Sequence, residues 1–173
     1  MQLFVLDYDP RAAAEMLCDV HLRKMCLENA QILSGVLSGQ QIALHPAMPR
    51  CFNINHPVIR AVNSVCKINW VVRYNIALHA EYYFRFGKKH LYAELTGEYE
   101  KMLFVAGTAC SAADYTFCRN FKTVHISTSD IVQAYRSYYC WKKTQLALWH
   151  YTRRHEPEWL LDRSGFTKSA SEP

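Results

Sequence analysis

Apolar positions along the chain fall into a few blocks. Residues 3–6, Leu-Phe-Val-Leu, are a short apolar run that reads as a strand or a buried extended arm, broken by Asp7-Tyr8-Asp9-Pro10. Asp9-Pro10 is a helix entry: the carboxylate accepts from free N–H groups and proline is tolerated in the first turn. Ala13, Met16, Leu17, Val20, Leu27 and Ile32 then recur at helical spacing, which predicts a first helix over roughly 10–37, ending near Gly35 or Gly39. Residues 38–56 read as a loop. Asn55-His56-Pro57 starts a second, long helix at about 57–86, with Asn55 as its cap and Gly87 closing it. A third helical piece at about 90–104, a stretch poor in helical signal at 105–128, and a final helix at about 130–152 follow. The fold class expected is mainly α: a compact single-domain helical bundle over 1–163 with a short extended N-terminal segment, then a flexible tail at 164–173.

Composition agrees. The chain has 173 residues, half of them hydrophobic, and only 6 Gly and 6 Pro, which argues against disorder and against a turn-rich β fold. Twenty basic and 15 acidic residues leave a formal charge of +5, a mild bias compatible with a polyanion partner. The 7 Cys form no C-x-x-C pair and no zinc-finger spacing with histidine, so they read as reduced, buried thiols of a cytoplasmic protein. No signal peptide or membrane-length apolar run is visible, and no metal or cofactor is expected. The absence of P-loop, G-x-G-x-x-G and G-x-S-x-G motifs argues against ATP hydrolysis, Rossmann redox chemistry and α/β-hydrolase chemistry.

Three polar constellations carry candidate chemistry. On the first helix His21, Lys24 and Glu28 are spaced i, i+3, i+7 and share one face, with Gln31 one turn later and Asp19 and Arg23 flanking. A carboxylate held beside a lysine suits electrostatic stabilisation of a cationic transition state, or proton transfer. The same face reads equally as a solvated surface with one i,i+4 pair worth a few tenths of a kcal/mol. The second helix carries Arg60, Asn63, Lys67 and Tyr74, whose cations suit phosphates, while Trp70 and Tyr74 are either stacking platforms or core. The last helix interleaves Tyr135, Tyr138, Tyr139 and Trp141 with Arg136, Lys142 and Lys143, which is either a nucleic-acid surface or packing.

The order of motifs resembles a family of small uncharacterised proteins encoded by tailed phages. The resemblance rests on Phe4-Val5-Leu6-Asp7, Cys18-Asp19-Val20-His21 with Lys24 and Glu28, Asn55-His56-Pro57, Arg85-Phe86-Gly87-Lys88 and His90. It continues through Ala134-Tyr135-Arg136-Ser137-Tyr138-Tyr139 and Glu156-Pro157-Glu158-Trp159. More distantly the layout is similar to the phage-type pyrimidine-dimer DNA glycosylases. Their first helix carries Asp-x-His-Leu with a catalytic glutamate seven residues after the histidine, matched here by Asp19, His21, Leu22 and Glu28. The resemblance implies a base-flipping enzyme acting on a damaged or modified pyrimidine in duplex DNA, with Glu28, His21 and Lys24 as catalytic groups. Arg23, Arg60, Lys67, Arg136, Lys142 and Lys143 would contact DNA, and Asp19, Gln31, Asn55, His56 and Tyr135 would form the pocket. That family's nucleophile is a terminal α-amine. With the bulky Gln2 in second position, the amine here belongs to Met1. Two alternatives stand beside this reading: a transferase acting on hydroxymethylated pyrimidines, and a non-enzymatic protein that binds a host factor.

Overall fold

Asp9 does cap the first helix, accepting from the Arg11 amide at 3.0 Å, and Pro10 opens it. The structure, a computed structural model, describes residues 1–119, 121, 124 and 126–161. The tail expected at 164–173, and the last residues of the expected domain, lie outside the described residues. The elements run α1 (Pro10–Glu15), α2 (Asp19–Gly39), α3 (Pro57–Ala61), α4 (Val65–Phe86), a 3-10 turn (Ala93–Leu95), α5 (Thr96–Leu103), a second 3-10 turn (Ala112–Asp114), α6 (Ile131–Gln145) and α7 (Glu158–Leu161). The architecture is mainly α, with no strand among the described residues. None of the described helices is long and apolar enough to cross a membrane.

Two expected helices are each broken in two. The helix expected over 10–37 stops at Glu15 and restarts at Asp19, because Cys18 is extended and donates its amide to the Tyr139 hydroxyl at 2.8 Å. A helix end strands carbonyls that need donors. Here Arg85 of α4 supplies them, reaching the Glu15 carbonyl at 2.8 Å and the Leu17 carbonyl at 2.7 Å. The helix expected over 57–86 is interrupted between Ala61 and Val65, with Ser64 capping the second piece through the Lys67 amide. Its cap is His56 rather than Asn55: His56 Nδ1 accepts from the Val58 amide at 3.2 Å, while Asn55 is exposed. Gly87 closes α4 in the left-handed region (φ 66°), as its sequence position implies. The last long helix is capped by Asp130 and ends at Gln145, short of the expected boundary at 152.

The core forms around α4, which packs against α1, α2 and α5. Asn29 of α2 donates to the Val71 carbonyl of α4 at 3.2 Å, and Tyr99 of α5 bonds Ser34 and the Ala30 carbonyl of α2. Gly35 lets α3 approach closely: a Cβ there would lie 2.7 Å from Ile59 Cδ1. Leu3, Phe4, Val5 and Leu6 form the extended arm and are buried throughout. Phe4 stacks against His21 of α2 and against Tyr138 and Tyr139 of α6. Arg136 of α6 pins the arm's end through the Leu6 carbonyl (2.8 Å) and Asp7 (3.0 Å), and Trp70 donates to the Tyr8 carbonyl. The arm thus fixes where Met1 lies.

The cysteines depart from the expected pattern. Cys18 and Cys26 are buried thiols, but Cys66 and Cys110 form a disulfide that ties the start of α4 to the 105–118 loop. Their sequence separation of 44 residues hid the pairing, since connectivity follows from the fold and not from spacing.

Candidate active site

The buried arm delivers Met1 to the α2 face singled out by periodicity. The Met1 α-amine lies 3.8 Å from Glu28 Oε1, and the Gln2 amide donates to Glu28 Oε2 at 2.9 Å. Lys24 Nζ, one turn earlier, is 3.5 Å from the same Oε1. The carboxylate therefore faces two cations and one amide while its residue is only 8% exposed. A cleft of about 340 Å³ opens here, lined by Met1, Gln2, Phe4, His21, Lys24, Met25, His56, Tyr138, Trp141 and Lys142. That volume is at the small end of ligand pockets. One wall carries an unspent donor: Gln2 Nε2 is buried and has no hydrogen-bond partner among the described residues.

His21 sits in the wall among Phe4, Tyr139 and Trp149. Its Nδ1 lies 3.0 Å from the Tyr139 hydroxyl and 3.4 Å from Cys18 Sγ. That hydroxyl also accepts the Cys18 amide, which ties the His21 ring to the break between α1 and α2. Burial, and then the facing ammonium groups of Lys142 and Lys24, push the imidazole down to about 4. His21 is neutral at physiological pH, not a phosphate-holding cation. Lys142, half-buried, lies over the Tyr138 and Trp141 rings at 5.8 and 5.7 Å, which brings a cation and two aromatic faces to the cleft.

Several expected site residues lie elsewhere, each because tertiary packing claimed it. Asp19 is buried under Arg85, His150 and Thr152. Burial alone would raise its carboxyl, but those hydrogen bonds win and hold it at about 2. Tyr135 is core, donating to the Cys118 carbonyl at 2.5 Å. Lys67 is buried with Nζ 3.4 Å from Thr116 Oγ1, so its ammonium is not presented to phosphates. Arg136 is spent on the arm and stacks on Trp159, and Lys143 is paired with Glu156. Arg23 is exposed but lies over the Phe86 ring at 4.5 Å, Arg60 is exposed, and neither lines the cleft. Gln31 is half-buried and Asn55 exposed, both outside the cleft lining. Trp70 and Tyr74 are core.

Tyr138, Trp141 and Met25 complete the cleft without having been singled out as its lining; the aromatic run of α6 signalled the first two, and nothing signalled Met25 of α2. A larger groove of about 680 Å³ lies between α1 and α4, but its cations are engaged. Arg154 pairs with Glu81 and Glu15, Arg11 pairs with Glu15, and Arg73 lies over Phe104. No family model, curated protein or solved structure matches the chain.

Proposed function

We propose that the protein is a DNA-acting, base-flipping enzyme of the glycosylase or glycosylase/lyase type, with the Met1 amine as nucleophile and Glu28 as its carboxylate. The observation that carries the reading is the 3.8 Å approach of that amine to Glu28 at the edge of a cleft bearing Lys24, Lys142 and Trp141. An α-amine sheds its proton nearer neutrality than a lysine does, so it suits attack on a sugar carbon. The nitrogen attacks C1′ of the extruded nucleotide. The C1′–N-glycosidic bond breaks and the base leaves with the bonding pair, taking up a proton. Ring opening then gives an iminium at C1′, with a proton delivered to O4′. Glu28 stabilises the positive charge that develops on the sugar and the nitrogen. Lys24 and Lys142 meet the flanking phosphates, and Trp141 and Tyr138 offer rings for the displaced base.

Borohydride trapping tests this. Duplexes carrying a pyrimidine dimer, hydroxymethyluracil or an abasic site are incubated with the protein and reduced, and the adduct is mapped by peptide mass spectrometry. The expected adduct lies on Met1, survives Lys24→Ala and falls about 10²–10³-fold in rate in Glu28→Gln. An adduct confined to lysines, an unmodified Met1, or a Met1 amine found blocked in the intact protein overturns the mechanism. Salt-sensitive duplex binding without any adduct meets the transferase alternative instead. No duplex binding at all, with function unchanged in Glu28→Gln, meets the host-factor alternative.

A further inference from the structure

A second cluster lies away from the cleft, on side chains that the glycosylase reading does not use. Cys26 of α2, His79 of α4 and His90 beyond the Gly87 turn each place one ligand-capable atom within 4.8 Å of the other two. The left-handed Gly87 makes this juxtaposition: it turns the chain back so that the His90 ring lies 5.3 Å from that of His79 and edge-on to Tyr82 at 5.1 Å. His79 is 6% exposed, yet neither of its ring nitrogens has a hydrogen-bond partner among the described residues. A buried polar group without a partner costs about 1–3 kcal/mol. Two on one ring, beside a thiol and a second imidazole, call for an occupant.

We propose that Cys26, His79 and His90 form a site for one soft d10 cation, Zn²⁺ or Cu⁺. The donor set is one thiolate and two imidazoles, the ligands these ions prefer. Metal bonds of about 2.0–2.3 Å set ligand atoms roughly 3.3–4.0 Å apart. The longest edge of 4.8 Å therefore has to close by about 1 Å, within reach of side-chain torsions. Neither ring nitrogen of His79 is committed to a partner among the described residues, so one can turn its lone pair to a metal. The Cys26 thiol donates to the Leu78 carbonyl at 3.7 Å. On metallation its proton leaves to solvent, the S–metal bond forms, and the cation offsets the thiolate charge that burial alone forbids. At His90, Nδ1 accepts the Tyr92 amide at 3.3 Å, a long bond that ligation gives up in exchange for the metal. Cu⁺ with one thiolate is neutral and is satisfied by three ligands. Zn²⁺ leaves a positive charge and takes a water from the side of half-buried His90. An ion here would clasp α2, α4 and the turn after Gly87.

The test uses untagged full-length protein, stripped with chelator and with the Cys66–Cys110 disulfide left intact, so that no new thiols compete. One equivalent of Zn²⁺, or of Cu⁺ under nitrogen, is added, and metal per chain and Tm are read after desalting. Co²⁺ serves as the spectroscopic probe of a thiolate ligand. The expected result is one ion per chain and a raised Tm. A thiolate-to-cobalt charge-transfer band should be lost in Cys26→Ser, and affinity should fall at least about tenfold in His90→Ala. The half-buried His90 keeps the test usable if the Cys26 variant folds poorly. Sub-stoichiometric retention of both metals overturns the proposal, as does retention unchanged in His90→Ala. Retention of Zn²⁺ alone or of Cu⁺ alone identifies the ion. Activity is not a readout, so failure here leaves the trapping result untouched.

Discussion

Replacing Arg85 by Met should unfold the junction on which α2, the helix of Glu28, is mounted. The Arg85 guanidinium is fully buried and makes four bonds: to Glu81 (2.6 Å), Asp19 (3.0 Å) and the Leu17 and Glu15 carbonyls (2.7 and 2.8 Å). Asp19 keeps Thr152 and His150 after the change, and Glu81 keeps Arg154, so neither carboxylate is left alone. The two carbonyls have no substitute donor, and each stranded acceptor costs about 1–3 kcal/mol. Adding the weakened carboxylates brings the loss to about 4 kcal/mol, in the range found on breaking buried ion pairs. That is a large part of a typical total stability of about 5–15 kcal/mol. Urea unfolding followed by circular dichroism measures it, with Arg23→Met as the control. Arg23 is exposed and only stacks on Phe86, so its loss should cost below about 1 kcal/mol. An Arg85→Met loss no greater than that of the control would refute the claim that Arg85 holds the break between α1 and α2.

Acid should destabilise the fold well above the carboxylate range. His21 and His79 are both pushed to about 4, first by burial. Above about pH 6.5 neither state protonates them. Between about 6.5 and 4 the unfolded chain takes up protons that the fold refuses, so stability falls by on the order of 3 kcal/mol per histidine, then levels off. Tm measured from pH 8 to 4 should drop and should drop less in His21→Phe; a flat profile refutes the burial argument. Asp19 adds a lower limb, present above about pH 4 and lost as pH falls towards 2. Losing the Cys66–Cys110 bridge in Cys110→Ser should cost up to about 4 kcal/mol, from the closure entropy of its 44-residue loop. Alkylation of the denatured, unreduced protein should find five free thiols of seven; labelling of all seven contradicts the bridge.

Local chemistry was readable residue by residue. Asp9-Pro10 is a cap and Gly87 a left-handed stop, because such signals need only the side chain and a few neighbouring amides. The apolar 3–6 run, read as either a strand or a buried arm, is the arm: its burial was legible, but whether it paired in a sheet was not. What stayed hidden was set by partners far along the chain. Nothing in Met16-Leu17-Cys18 says that a helix must stop there; the donors that permit it are Arg85 and the Tyr139 hydroxyl. The same holds for cations: Lys67, Arg136 and Lys143 look alike in sequence, and only the fold turns them inward or pairs them. The glutamate was visible by period, but the amine opposite it needed the arm's path.

The two clusters divide α2 between them in a way that bears on how each is tested. Glu28 and Lys24 meet the Met1 amine at the cleft, and Cys26 lies two residues from each of them, sequestered against α4. Successive helical residues are rotated by about 100°, so Cys26 points well away from Lys24, which lines the cleft, and from Glu28 behind Met1 and Gln2. A side-chain change at Cys26 therefore reaches the cleft only through the helix backbone. The amine is held by the four buried arm residues, by Arg136 on the Leu6 carbonyl and Asp7, and by Glu28 itself, which accepts the Gln2 amide. Loosening that anchor would shift the proposed nucleophile together with the Gln2 amide that Glu28 accepts. The proposed chemistry would accordingly depend on the core as directly as on the charged groups, since the same burial that stabilises the arm sets the 3.8 Å between amine and carboxylate.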